Sequence, residues 1–131
     1  MKIRCMHNSL RLRLQKSDLT ILQKTNSVAE NIVFGSDQIL IYQLQMADGL
    51  AHPEVQYQHN TITVQVPTPM VKTWVDTTQV SIEAHLPLLT NNTDGTNQLH
   101  LLIEKDFPCQ HREEAGSADT FFELVNDETN E

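Results

Sequence analysis

Four cations near the start of the chain have the spacing of a binding surface. The opening segment, MKIRCMHNSLRLRL, alternates basic and apolar residues on both sides of His7-Asn8. If these two residues form a tight turn, the segment is a β-hairpin in which residues opposite each other share a face. One face then carries Ile3, Cys5, Leu10 and Leu12, and we expect Cys5, Leu10 and Leu12 to pack inside. The other face carries Lys2, Arg4, Arg11 and Arg13.

The basic face of this hairpin needs negative charge nearby, because like charges placed opposite each other on a sheet repel. Arginine has a planar fork that binds phosphate oxygens in pairs, so the four cations are a candidate anion-binding site. Glu104 and Asp106 share one face of the predicted last strand and are the candidate internal counter-charges. Three interpretations stay open: an internal ion-pair network, an anion site and a solvated face. The positions of these two acids discriminate between the first two.

Motifs for metal binding and catalysis are weak in this sequence. Cys5-Met6-His7 and Cys109-Gln110-His111 are two Cys-x-His pairs, but their spacing is not that of a zinc finger or ribbon. We therefore expect no metal and no other cofactor. Without a nucleophile elbow or a phosphate loop, catalytic residues stay unassigned, and enzyme activity is neither indicated nor excluded. His85 and His100 lie on predicted strands, beside Glu83 and Glu104.

The pattern of apolar residues predicts short strands in hairpin order with two helices. After the opening hairpin, strands are expected at 28–34, 39–46, 55–58, 61–66, 80–86 and 99–106. Ser17 is the expected cap of a helix over 18–25, and Thr68-Pro69 begins a second helix that contains Trp74. A His-Asn turn recurs at 59–60, but no repeat longer than a hairpin is visible. The predicted fold class is α+β, with an antiparallel-rich curved sheet of about seven or eight strands and two short helices.

Charge divides the chain near residue 110. The net charge is −8, and seven acidic residues against Arg112 place most of it in residues 108–131. We therefore predict one globular domain over 1–110 and an acidic, disordered tail over 111–131. The tail contains one apolar cluster, which is the candidate docking segment for a protein partner. Its residues are Phe121, Phe122, Leu124 and Val125.

Composition also excludes several classes of protein. General affinity for nucleic acid requires a net basic surface, and this chain is acidic. No apolar run approaches 18 residues, so we expect no membrane span. No apolar stretch follows the first basic residues, and two cysteines suit a reducing compartment. These features predict a cytoplasmic location.

The opening segment resembles the start of a family of small uncharacterised bacterial proteins. The similar motifs are MKIR-x-x-x-NS-x-RLRL at the start and IEKDF-x-C at 103–109, together with Phe34-Gly35 and Thr78-Gln79-Val80. The resemblance covers about residues 1–110, and His7 stands where similar sequences more often have Gly or Asp. It implies a single cytoplasmic domain and assigns no activity.

From the sequence we therefore expect a non-enzymatic protein-interaction module. The alternative is a protein that binds an anion or phosphate on its basic hairpin face, with or without enzyme activity. The module is favoured because nucleophile, metal and phosphate-loop motifs are missing from the sequence and because the tail resembles a docking segment.

Overall fold

A computed structural model describes residues 1–88 and 98–107. In this part of the chain no helix is long and apolar enough to span a membrane. The helices are α1 (Lys16–Thr25) and α2 (Thr68–Asp76). The strands are β1 (Lys2–Met6), β2 (Ser9–Leu14), β3 (Ser27–Gly35), β4 (Gln38–Ala47), β5 (Glu54–Gln58), β6 (Thr61–Pro67), β7 (Ser81–Pro87) and β8 (Gln98–Lys105).

The expected elements are present, with ends that move by one or two residues. Helix α1 differs most, because it begins at Lys16 and its N-cap is Gln15, so the prediction of Ser17 as the cap was wrong. The backbone N–H of Gln15 donates to Asp18 Oδ2 at 2.9 Å. This bond is half of a reciprocal capping box, which stabilises the first turn more fully than a single serine hydroxyl does.

The strands form two separate sheets of four, with the orders β1-β2-β8-β7 and β3-β4-β6-β5. The outer pairs of each sheet are antiparallel, but β2 runs parallel to β8 and β4 runs parallel to β6. The α+β class is therefore confirmed, whereas the single curved antiparallel sheet was wrong. Hairpin signals fix only pairs that are adjacent in sequence, and both central pairings join strands from different hairpins.

The chain is built from two topologically equivalent halves. Each half is a hairpin, a helix and a second hairpin: β1-β2-α1-β3-β4 is followed by β5-β6-α2-β7-β8. Exchanging the halves converts one sheet order into the other. The equivalent hairpin turns begin at His7 and His59, both with φ 52°, a left-handed conformation that histidine tolerates better than most residues. The recurring His-Asn turn is thus the part of this repeat that can be recognised in the sequence, while the repeat itself includes both halves of the fold.

Both sheets and both helices contribute to one apolar core. Helix α1 contacts strands of both sheets, and so does α2. Leu22 and Trp74, which occupy equivalent positions in the two helices, are completely buried. The Trp74 indole N–H donates to the carbonyl of Val80 at 2.9 Å, so its polar atom is satisfied inside the core. The buried strand residues include Leu12, Leu14, Leu44, Val64, Val66, Leu101 and Ile103.

The amino group of Met1 connects the first sheet to the second. It lies 3.0 Å from Asp18 Oδ2 and 3.2 Å from Glu30 Oε1. The Tyr42 hydroxyl donates to the Met1 carbonyl at 3.0 Å. Burial by itself would lower the pKa of the Met1 amine, but the hydrogen bonds to Asp18 and Glu30 outweigh burial and raise that pKa above its usual value.

We expect stability to decrease as the pH rises above about 8, because the ammonium holds its proton more tightly in the folded chain than in the unfolded one. Acetylating the amine, or extending the chain before Met1, removes the charge. The free energy of unfolding should then fall by about 1.5–3 kcal/mol, the value of a hydrogen bond to a charged group. Urea unfolding between pH 7 and 10 measures both effects. A tag at the other terminus is the control, and equal stability of the two tagged forms would contradict this role of the amine.

Candidate functional site

The first hairpin has the register that its sequence predicts. Lys2 lies opposite Arg13, Arg4 opposite Arg11, and Cys5 opposite Leu10. Leu10 and Leu12 are buried, so the four cations occupy the opposite face of the sheet. The expected burial of Cys5 was wrong, because its side chain is exposed. Cys5 lies on the edge strand β1, whereas its partner Leu10 lies on the inner strand β2 and is buried.

Two carboxylates lie beside the cations, as the interpretation of an internal ion-pair network requires. Parallel pairing places Glu104 opposite Arg13, and Arg13 Nε lies 2.7 Å from Glu104 Oε1. Arg11 Nε lies 3.6 Å from the same oxygen. Lys2 Nζ lies 3.0 Å from Asp106 Oδ2. Glu104 and Asp106 are therefore real internal counter-charges, and an ion-pair network covers part of the basic face.

The network leaves positive charge at Arg4 and Arg11. Among the residues that the structure describes, four cations face two carboxylates, and Arg11 shares an oxygen that Arg13 holds more closely. Arg4 forms no ion pair with any residue in 1–88 or 98–107. Both arginines line two neighbouring cavities, one of about 290 Å³ with Lys2, Ile3 and Arg13 and one of about 140 Å³ that reaches His100. Like charges directly opposite each other on a sheet are unfavourable unless an anion joins them.

The other half of this sheet adds a histidine pair. His85 lies directly opposite His100, and their rings stack with centroids 4.6 Å apart and planes 2° from parallel. Glu83, on the same face as His85, lies 2.7 Å through Oε2 from His100 Nε2. Strand parity in the sequence already groups Glu83 with His85. The contact with His100 needs the β7–β8 register, which the residues between these strands do not reveal.

These side chains form one surface, which we call the charged face of the first sheet. Its charged and imidazole residues are Lys2, Arg4, Arg11, Arg13, Glu83, His85, His100 and Glu104.

The second sheet has an equivalent surface with almost no charge, which we call the amide face. The strand registers match each position of one face to a position of the other. Arg4, Arg11 and Arg13 correspond to Gln56, Thr63 and Gln65, and Glu104 corresponds to Gln45. Glu83, His85 and His100 correspond to Ala29, Asn31 and Ile41. Among the matched positions only Glu54, opposite in sign to its counterpart Lys2, carries charge.

The amide face shows that this architecture forms without the charges. Where the first sheet has the Arg13–Glu104 ion pair, the second has a hydrogen bond from Gln65 Nε2 to Gln45 Oε1 at 3.3 Å. Arg11 is 36 % exposed and Arg13 38 %, so water screens both and limits what their ion pairs add to stability. The charges of the first sheet therefore need an explanation other than folding.

Several predicted residues lie outside the described part of the chain. The docking cluster Phe121, Phe122, Leu124 and Val125 is among them, as is the whole of the predicted tail. Cys109 and His111, one of the two Cys-x-His pairs, lie there as well. The structure therefore does not test these predictions.

Comparison with known proteins identifies a family and no activity. The model of one family, described as a family of unknown function (DUF7009), matches residues 1–123. No curated protein and no solved structure gives a significant match.

Exchanging charged residues for their amide-face counterparts should leave the fold intact. We expect Arg11→Thr, and Arg13→Gln combined with Glu104→Gln, to change the free energy of unfolding by no more than about 1 kcal/mol, the value of exposed ion pairs. Leu12→Ala on the same strand should cost about 2–5 kcal/mol, because it empties a buried site. Urea denaturation followed by Trp74 fluorescence compares them. A loss in the double variant as large as that in Leu12→Ala would mean that the network is structural.

Proposed function

The chain belongs to the DUF7009 family, whose function is unknown, and from its own charged face we propose that it binds a small molecule bearing phosphate. The site is centred on Arg4 and Arg11, which line both cavities of that face. The observation that carries the proposal is the incomplete neutralisation of this cross-strand arginine pair by the described residues. Arg4 has no ion-pair partner among them, and Arg11 shares one oxygen of Glu104 with a second arginine.

Phosphate fits this pair for geometric and electrostatic reasons. A guanidinium presents two parallel N–H groups to two phosphate oxygens, and two such groups from neighbouring strands can hold one phosphate between them. The other two cations of the site, Lys2 and Arg13, already have carboxylate partners. They would therefore orient the central pair, Arg4 and Arg11. Ser9, whose hydroxyl donates to the Met6 carbonyl, lies at the rim of the smaller cavity.

The size of the site and the net charge both favour a small ligand over a macromolecule. The larger cavity is about 290 Å³, within reach of a phosphate group and a modest organic portion. The chain has a net charge of −8, so its field at long range repels extended polyanions such as nucleic acid. Close to the arginines, the local charge is positive.

Thermal unfolding with added phosphate, pyrophosphate and a nucleoside monophosphate tests the proposal. A ligand at a hundred times its dissociation constant should add about 2.7 kcal/mol of stability. Arg4→Gln and Arg11→Thr, which introduce the amide-face residues, should abolish the shift without lowering the unliganded melting temperature. Lys72→Gln, an exposed change on α2, is the matched control for losing one cation. If none of the three ligands shifts the wild type, or if Lys72→Gln weakens binding equally, the site is not where we place it.

Protein binding, the function that the sequence favours, is the second candidate. Its proposed docking residues in the tail lie outside the described part, but exposed apolar side chains in the second sheet also support it. Phe34 and Tyr57 are 68 % and 66 % exposed, and with Ile39 they line a cavity of about 370 Å³. Isolated exposed apolar residues are ordinary, whereas grouped ones mark contact surfaces.

Self-association is the form of protein binding that can be tested with the purified protein alone. Sedimentation velocity over a range of concentrations should show dimer in the wild type and monomer in Phe34→Ser if this surface binds a second copy. Ile21→Ser, another exposed apolar position on α1, is the control. Monomer at every concentration would remove a second copy as the partner and leave the phosphate site as the function with support from described residues.

A further inference from the structure

Glu83, His85 and His100 bring three metal-ligand side chains together at one point of the charged face. The antiparallel register sets His85 directly opposite His100, and Glu83 precedes His85 by two residues on the same face. One ligand atom from each side chain can be chosen so that all three lie within 4.8 Å of one another. Two imidazoles and a carboxylate are a common protein ligand set for zinc, with a further position open to water or substrate.

The side chains are close to the separation that a metal ion requires. Metal–ligand distances of about 2.0–2.2 Å place two ligands of a tetrahedral ion roughly 3.4 Å apart. Glu83 Oε2 and His100 Nε2 are already 2.7 Å apart. The stacked rings must turn so that one nitrogen of each points at a common ion. Glu83 and His85 are exposed and His100 is partly exposed, so this turn displaces no core residue.

Two further observations separate this cluster from an ordinary surface ion pair. At the matched positions of the amide face stand Ala29, Asn31 and Ile41, which cannot form such a ligand set. The same fold therefore has no structural need for it. In addition, His100 lines the smaller cavity together with Arg4 and Arg11. An ion held by the histidines would thus lie next to the proposed phosphate site.

We propose that Glu83, His85 and His100 bind one divalent first-row transition metal ion, with zinc as the representative, and that this ion and the Arg4–Arg11 pair hold the same phosphate from two sides. The metal site stands on its own geometry, and the shared phosphate rests on the proposed function. The ion's open position would take a phosphate oxygen, and the arginines would bind the oxygens on the other side. Divalent metal and arginine together neutralise a phosphate more completely than either does alone.

Metal binding is tested first, without any phosphate. Calorimetric titration of metal-free full-length protein with Zn²⁺ should give one equivalent of binding, and Co²⁺ should give a visible absorption band from the same site. His85→Asn, which installs the amide-face residue, and His100→Gln should each weaken Zn²⁺ binding by more than about tenfold, since even residues that only support a ligand typically contribute that much. Zn²⁺ should also shift the imidazole NMR signals of His85 and His100.

Controls separate this site from the other histidines and cysteines. His59→Asn, in the turn of the second sheet, should bind Zn²⁺ like the wild type. A Cys5→Ser, Cys109→Ser variant should also bind normally, because the predicted Cys-x-His pairs take no part. Zn²⁺ binding that survives both His85→Asn and His100→Gln, or that disappears with the cysteines, overturns the proposed metal site.

The shared phosphate is tested by titrating it with and without Zn²⁺. The wild type should bind phosphate at least about tenfold more tightly with Zn²⁺ bound, a coupling within the usual range for two interacting ligands. Arg4→Gln should lose phosphate binding and keep Zn²⁺ binding. Phosphate binding to metal-free protein that Zn²⁺ does not strengthen would overturn the sharing but leave the proposed function intact. Zn²⁺ binding with no phosphate binding under either condition would instead reject the proposed function.

Discussion

The parallel pairing of β2 with β8 is the contact on which the rest of the structure depends. It joins the first hairpin to the last strand, so that Arg13 and Glu104, 91 residues apart in sequence, become neighbours. Leu12 and Leu14 then lie beside Ile103 in the core. Backbone bonds from His100 to Asn8 and from Asp106 to Leu14 close both ends of the pairing. Because so long a loop must close before any of these contacts form, the first sheet can be completed only when almost the whole described chain is in place.

The charged face follows from this pairing. Each pair of strands supplies one part of the face: β1 and β2 supply cations, while β7 and β8 supply carboxylates and imidazoles. The β2–β8 junction places Arg13 next to Glu104 and brings His100 into a cavity with Arg4. The second sheet has the same junction between β4 and β6, filled by glutamine and threonine. The strand pairing therefore does not require the charged side chains, because the second sheet has the same pairing without them.

Local features of the fold could be predicted from sequence, and long-range ones could not. The His7-Asn8 turn fixed the register of the first hairpin, and alternation along β2 separated Leu10 and Leu12 from the arginines correctly. Glu104 and Asp106 were identified as counter-charges because alternation along a single strand shows which residues share a face, even when the neighbouring strand is unknown. The division into two sheets depends on parallel contacts between distant hairpins, for which the sequence has no turn signal.

The two predictions about single residues that were wrong, for Cys5 and Ser17, also have local physical causes. Cys5 alternates with the basic residues as a core residue would, but it lies on an edge strand and its side chain is exposed. Ser17 is a good capping residue, but Asp18 in the first turn can bond back to Gln15 and moves the helix start earlier. The repeat is hard to recognise in the sequence because the polar residues of the two halves differ, although apolar positions and the His-Asn turn are preserved. Leu22 and Trp74 fill equivalent core positions with side chains of quite different size.

The equivalence of the halves has a consequence for how such a molecule can evolve. A half-length chain would leave β2 and β4 without their parallel partners, and a second copy would have to supply them. That homodimer would display the same side chains on both of its faces, and every mutation would appear twice. Joining the copies into one polypeptide removes this restriction, so that one face can gain charge while the other keeps its amides. Covalent linkage is therefore what permits an asymmetric surface on a nearly symmetric framework.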